Sequence, residues 1–139
     1  MDDSSLAHSR YTCTYHLVII PKYRRKVMYG EVRKSVGSIL RKLCEMYGVT
    51  LIEGTVSADH VHMYMSIPPK FAISQVVAYL KGKSALMLFD KYPKFRGKGD
   101  RHFWARGYYI ATVGDVNEET IREYIKRQME NDKMEDGFR

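Results

Sequence analysis

The chain has 139 residues, 45% of them hydrophobic, which is enough for one compact domain with a real core and too few for two ordinary ones. Its 23 Lys and Arg against 16 Asp and Glu give a formal charge of +7; such a surface suits a polyanionic partner, most often nucleic acid, although a soluble protein can simply be basic. Only Cys13 and Cys44 are present, with no Cys-x-x-Cys pair, and the start "MDDSSLAHSR" is polar and acidic. No run of about 18 apolar residues occurs, so a disulfide scaffold, a signal peptide and a membrane span are not expected, and a cytoplasmic protein with no membrane partner is.

The elements follow one another without a repeat or a low-complexity linker. Residues 1–9 are expected to be flexible, within a single domain covering 1–139. Tyr11 to Ile20, "YTCTYHLVII", is rich in β-branched and aromatic residues and stops at Pro21, as a first strand does. From Glu31 the apolar residues Val32, Val36, Ile39, Leu40, Leu43 and Tyr47 recur at helical spacing, and Gly48 is placed to cap the end. "VTLIEGTVSA" and "HVHMYMSIP" then read as a hairpin turning around Asp59. Ser74 is the expected N-cap of a second helix through "QVVAYLKGKSALMLFDKY", with Gly82 a weak point inside it. "FWARGYYIATVG" reads as a fourth strand. Asn117 is then the expected cap of a last helix with Glu118 and Glu119 in its first turn.

The order β-α-β-β-α-β plus a helix predicts an α+β fold of the ferredoxin-like, RRM-like kind: one antiparallel sheet with two helices on one face. RNA-binding domains of this plan use the other face for single strands.

In "DHVHMYMSI" successive side chains alternate between faces. Val61, Met63, Met65 and Ile67 point one way, toward the helices, and His60, His62, Tyr64 and Ser66 point to the open face. Strand geometry puts the Cβ atoms of the two histidines about 7 Å apart, a separation from which both rings can converge on one ion. The bland alternative is a pair of partly exposed strand histidines. In the last helix Ile121, Tyr124, Ile125 and Gln128 form one stripe, which places a glutamine in the middle of a packing face. Either Tyr124 is a core aromatic with Gln128 at the edge, or the stripe faces the open side of the sheet and brings a phenol and an amide to the histidines. The second arrangement has a chemistry: a tyrosine can attack phosphorus when the phosphate is polarised, and a divalent ion held by three neutral ligands keeps its charge available for that task.

With these motifs, "YHLVIIPKYRRKV", "SADHVHMYMSIPP", "YLKGKSA", "FWARGYYIATVG" and "IREYIKRQ", the chain resembles the HUH endonucleases, named for histidine, hydrophobic residue, histidine. It is most similar to the single-tyrosine transposases of the insertion sequence 200/605 family, and the resemblance covers nearly the whole chain. The resemblance implies that His60 and His62 are the metal-binding pair, that Tyr124 is the nucleophile and that Gln128 is the third metal ligand. It further implies cleavage of single-stranded DNA beside imperfect hairpins, a 5′-phosphotyrosine intermediate and Mg2+ or Mn2+ as cofactor. The implied assembly is a homodimer in which the tyrosine helix of one subunit completes the histidine site of the other, with "GDVNEET" a plausible hinge.

Two basic runs interleave aromatics with Lys and Arg, the mixture that holds phosphates and unstacked bases. Lys22, Arg24, Arg25, Lys94, Arg96 and Lys98 are the candidate DNA contacts there. Lys81 and Lys83 in helix two are either further phosphate contacts or solvated. "KGKS" around them lacks the first glycine of a nucleotide-binding loop, since that position is Val77. His16 reads as a satisfied core histidine, and Asp59 as a turn residue or an orienter of an imidazole. Competing functions are a domesticated relative acting on repeated extragenic palindromes, a noncatalytic single-strand binding module, and a metallohydrolase whose nucleophile is water.

Overall fold

A computed structural model of the chain describes residues 4–6, 9–11, 13–22, 27–96, 102–112 and 118–135. Ser4–Leu6 (β1) and Ser9–Tyr11 (β2), within and just beyond the segment expected to be flexible, pair as a small antiparallel ribbon. The main sheet is built from Thr14–Ile19 (β3), Thr50–Val56 (β4), Val61–Ser66 (β5) and Tyr109–Ala111 (β6), in the order β4-β5-β3-β6. Every neighbouring pair is antiparallel. Helices Gly30–Tyr47 (α1) and Ile73–Lys91 (α2) connect the strands, and Glu118–Glu135 (α3) ends the described chain. This is the expected ferredoxin-like, RRM-like α+β fold. Gly48 takes the left-handed conformation at the end of α1, with φ +97°, and its N–H returns to Cys44 O, as a C-terminal cap requires.

Strand alternation creates two cores on opposite faces of the sheet. Leu17 and Ile19 of β3 with Val61, Met63 and Met65 of β5 bury themselves against Val36, Leu40 and Leu43 of α1 and Val76, Val77, Leu80 and Leu88 of α2. On the other face Val18 and Ile20 meet Ile121 and Ile125 of α3, with Ala105 between them and Tyr109 and Tyr124 at the margin. The molecule therefore has three layers: α1 and α2, the sheet, and α3.

Two boundaries differ from expectation. α2 begins at Ile73 after an extended Ala72, so Ser74 lies inside the first turn and does not cap it. Ile73 packs on the main core, and burying an apolar side chain of that size, about 1.5–3 kcal/mol when complete, rivals the roughly 1 kcal/mol of a side-chain cap. The fourth strand is shorter than "FWARGYYIATVG". Phe103, Trp104 and Ala105 are buried beside the end of β3 through Lys22 N–H to Phe103 O (2.8 Å) and Ala105 N–H to Ile20 O (2.8 Å), while regular pairing begins only at Tyr109. Between the pairs Pro21–Trp104 and Val18–Tyr109, β3 advances three residues and the facing chain five. Two extra residues are thus extruded as a bulge around Arg106 and Gly107.

The expected cap Asn117 lies outside the described residues. Gly82 does not break α2; it faces open space. Among the described residues no helix is long and apolar enough to cross a membrane.

Candidate active site

His62 lies on the open face of the sheet in a defined register, and His60 stands one residue before the start of β5. Val18 of β3 lies opposite His62 of β5 and, on its other side, opposite Tyr109 of β6, so Tyr109, Val18, His62 and Thr55 of β4 form one row across four strands. The next row runs Ala111, His16, Tyr64 and Glu53. β5 thus presents His62 and Tyr64 away from the main core, while Val61, Met63 and Met65 are buried inside it, as the alternation predicts.

Each site histidine has one ring nitrogen engaged. His60 Nδ1 lies 3.0 Å from Asp59 Oδ1. A carboxylate only accepts, so Nδ1 carries a proton, and in the neutral ring Nε2 of His60 is the lone pair. His62 Nε2 lies 3.0 Å from Nδ1 of His16, whose ring stacks on Tyr64 with centroids 4.5 Å apart. If His62 donates in this contact, its Nδ1 is the remaining lone pair. Burial, then the charges of His16 and His60, hold the His62 pKa below the usual imidazole value, with Glu53 opposing. The neutral ring is the form that ligates metals. Among the described residues no group of three or more His, Cys, Asp or Glu is placed to hold a metal ion. The candidate donors on this face are two imidazoles and the Gln128 amide, whose oxygen lies beside Gly107. Neutral nitrogen and oxygen donors of this kind fit a divalent ion that must keep its charge for a phosphate.

Helix α3 carries the other two candidate residues. Its stripe packs as one face: Ile121, Ile125 and Gln128 are buried, and the hydroxyl oxygen of Tyr124 is buried too. The Tyr124 ring lies 6.0 Å from that of Tyr109, and Gln128 Oε1 lies 4.0 Å from where a Cβ on Gly107 would stand. His60 and His62 form one strip with Asp59 and His16, and Tyr124 and Gln128 a second with Tyr109 and Gly107. Tyr109 is two strands from His62, about 10 Å at the usual strand spacing. Both strips belong to the same face and the same chain.

The basic candidates are scattered. Lys83, Lys94 and Arg96 are exposed, with the Lys94 ammonium 5.5 Å from the Phe95 ring centroid, and Lys22 is half-buried. Arg24, Arg25 and Lys98 lie outside the described residues, as does most of "GDVNEET". Lys81 is turned inward: its Nζ donates to Ala105 O at 2.7 Å and to Gly107 O at 2.6 Å. Sequence reasoning set His16 aside; the signal that would have found it is its parity with Val18 and Ile20 on β3, opposite to that of Leu17 and Ile19. A surface hollow of about 800 Å³ between Leu86, Phe89, Pro93 and Arg96 lies beside α2 and away from the histidine face.

An RRM-like sheet whose open face carries a histidine pair beside a docked tyrosine helix defines the class, and comparison with known proteins narrows it. The family model described as "Transposase IS200 like" matches residues 9–128. The chain belongs to this family of transposases. It is 53% identical over 134 residues to the transposase for insertion sequence element IS200 of Salmonella typhimurium, covering 96% of this chain and 88% of that one. It is 37% identical over 119 residues to the ISDra2 transposase TnpA of Deinococcus radiodurans, covering 85% of each. A crystal structure of a candidate transposase from Deinococcus radiodurans superposes with a TM-score of 0.82 at 29% identity, covering 92% of this chain and 98% of that one. A REP-associated tyrosine transposase bound to a REP hairpin shares the fold alone, with a TM-score of 0.54, 14% identity and coverage of 97% and 76%.

Proposed function

We propose that this transposase cleaves and rejoins single-stranded DNA at hairpin-bearing element ends, with Tyr124 as nucleophile and His60, His62 and Gln128 as ligands of a divalent ion. The observation that carries the reading is the docking of the Ile121, Tyr124, Ile125 and Gln128 stripe on the sheet face that holds the histidine pair. A core-only role for that stripe leaves a buried amide unexplained.

Tyr124 Oη gives up its proton and attacks the scissile phosphorus, the bond from phosphorus to the 3′ oxygen breaks, and the departing 3′ oxygen takes a proton, so none is gained or lost overall. The DNA is left as a 5′-phosphotyrosine and a free 3′-OH. One phosphodiester replaces another, so a 3′-OH can reverse the step without an external energy source. Mg2+ or Mn2+, when held by His60, His62 and Gln128, supplies the positive charge that polarises the phosphate. Asp59 fixes the His60 ring, and the second core of Val18, Ile20, Ile121 and Ile125 sets the height of Tyr124 above the sheet. The partner is DNA, as the family implies, and a hairpin is what the 14% identical structure holds. We read the working form as a homodimer with shared sites; the docking seen here, α3 on its own chain's sheet, is the alternative, within-subunit arrangement.

The 53% identity to an insertion-sequence transposase favours a mobile-element role over a domesticated one. Labelled single-stranded DNA copied from the flanks of this protein's own gene, incubated with the protein and Mn2+, should give an adduct that survives denaturation. An adduct of equal yield with Tyr124→Phe would show that another group is the nucleophile, and no adduct with the unmodified protein would favour a binding module or a water nucleophile.

A further inference from the structure

Lys81 has no place in the chemistry above, yet its ammonium sits at a structural junction. It donates to Ala105 O (2.7 Å) and Gly107 O (2.6 Å), the carbonyls on either side of Arg106 in the extruded bulge. A bulge takes residues out of the strand ladder, and a cation from the helix behind the sheet meets those carbonyls instead. The two bonded residues are also those that α3 rests on. Ala105 packs with Ile121 and Ile125 in the second core. Gly107 has φ +76°, a conformation suited to glycine, and its bare Cα is where Gln128 Oε1 approaches.

We propose that Lys81 is a positioning residue: by holding the 105–107 bulge it sets the platform on which α3 docks and so places Tyr124 and Gln128 over the sheet. The inference rests on the reading of those two residues given above. Three residues further along α2, buried Ser84 accepts from Trp104 Nε1 at 2.8 Å, so the neighbouring part of the same segment is anchored independently. Loss of the lysine therefore frees the bulge without freeing Trp104 from the main core. Burial brings the Lys81 pKa down to about 8, which still leaves the ammonium as the major form at neutral pH.

The test compares the full-length protein with Lys81→Met, which keeps the stem and removes the donors, and with Lys81→Arg, which keeps a cation and its donors. Amide hydrogen exchange without DNA or metal should show α3 protection reduced about tenfold or more in Lys81→Met, with α1 protection unchanged. Single-turnover adduct formation should slow by a similar factor, while affinity for the labelled DNA and its salt dependence stay the same; Lys81→Arg should recover both. Unchanged α3 exchange in Lys81→Met would overturn the proposal. So would a fall in DNA affinity with a shallower salt dependence, the mark of a phosphate contact. If α1 protection also falls in Lys81→Met, Lys81→Arg decides: restored α3 protection supports the pin, and loss confined to α3 despite the retained cation overturns it. Should Tyr124→Phe still form the adduct, the nucleophile reading fails while the exchange result on Lys81 stands.

Discussion

His16 Nδ1 and His62 Nε2 are 3.0 Å apart across the β3–β5 pair, and only one proton can lie between them while both rings are neutral. For His62 to ligate through Nδ1, His16 must be the acceptor, the outer partner that fixes the tautomer of a metal-bound imidazole. His16→Phe keeps a ring to stack on Tyr64 and removes that acceptor. Calorimetric titration with Mn2+ should show affinity lower by about tenfold or more. Equal affinity in the variant would remove His16 from the site.

The second core is small, and it should open on its own. Ile125→Ala removes a buried side chain that packs, among the described residues, in the cluster of Val18, Ile20, Ala105 and Ile121, with the tyrosines at the margin. Such truncations cost on the order of 2–5 kcal/mol. Because α1 and α2 share none of that cluster, hydrogen exchange should rise in α3 while the main core keeps its protection. Leu40→Ala, in the main core, should instead lower the stability of the whole fold. Equal exchange changes in both helix layers of Ile125→Ala would mean that the two cores unfold as one.

Gly107→Ala tests the bulge from the backbone side. With φ at +76° any Cβ is strained, by about 1–2 kcal/mol, and the new methyl would lie 4.0 Å from Gln128 Oε1, so strain and not collision is the expected penalty. The denaturation midpoint should fall accordingly. An unchanged midpoint would show that the bulge relaxes freely.

The expected pH response sits far from the site. Burial, helped by Glu45 and opposed by Arg41, raises the Cys44 thiol from 9.0 to about 11. An acid whose folded pKa is raised stays protonated while the unfolded chain loses its proton, so stability is intact below pH 9 and declines from there toward pH 11. The contribution approaches about 2–3 kcal/mol at the upper end. Denaturant titrations between pH 7 and 11 should show this decline in the unmodified protein and a flatter one in Cys44→Ala. The same slope in both would assign the alkaline loss to other groups.

Much of the site was legible because its signals are local. A strand has a period of two, so "HVHMYMS" by itself separates a core face from a histidine face. A helix has a period of 3.6, so Ile121, Tyr124, Ile125 and Gln128 had to share a stripe whatever they met. The family followed from those motifs together, and the sheet with two helices on one face from the order of the elements; the third layer, α3 on the opposite face, came only with the structure. Ser74 was misread as a cap because a capping propensity is visible in the sequence and the competing burial of Ile73 is not.

What only the tertiary structure decided depends on pairing between distant residues. That β3 lies between β5 and β6 follows from the ferredoxin-like plan, but the register that brings His16 to His62 and puts Tyr109 in the row of the histidine is set only by the strand pairing. The bulge at Arg106 and Gly107 is a mismatch between two strands and cannot be seen in either alone. Lys81 shows the difference most plainly. In the sequence it is one more cation on a basic surface, and in the fold it turns inward because the bulge offers it two carbonyls that no local pattern announces.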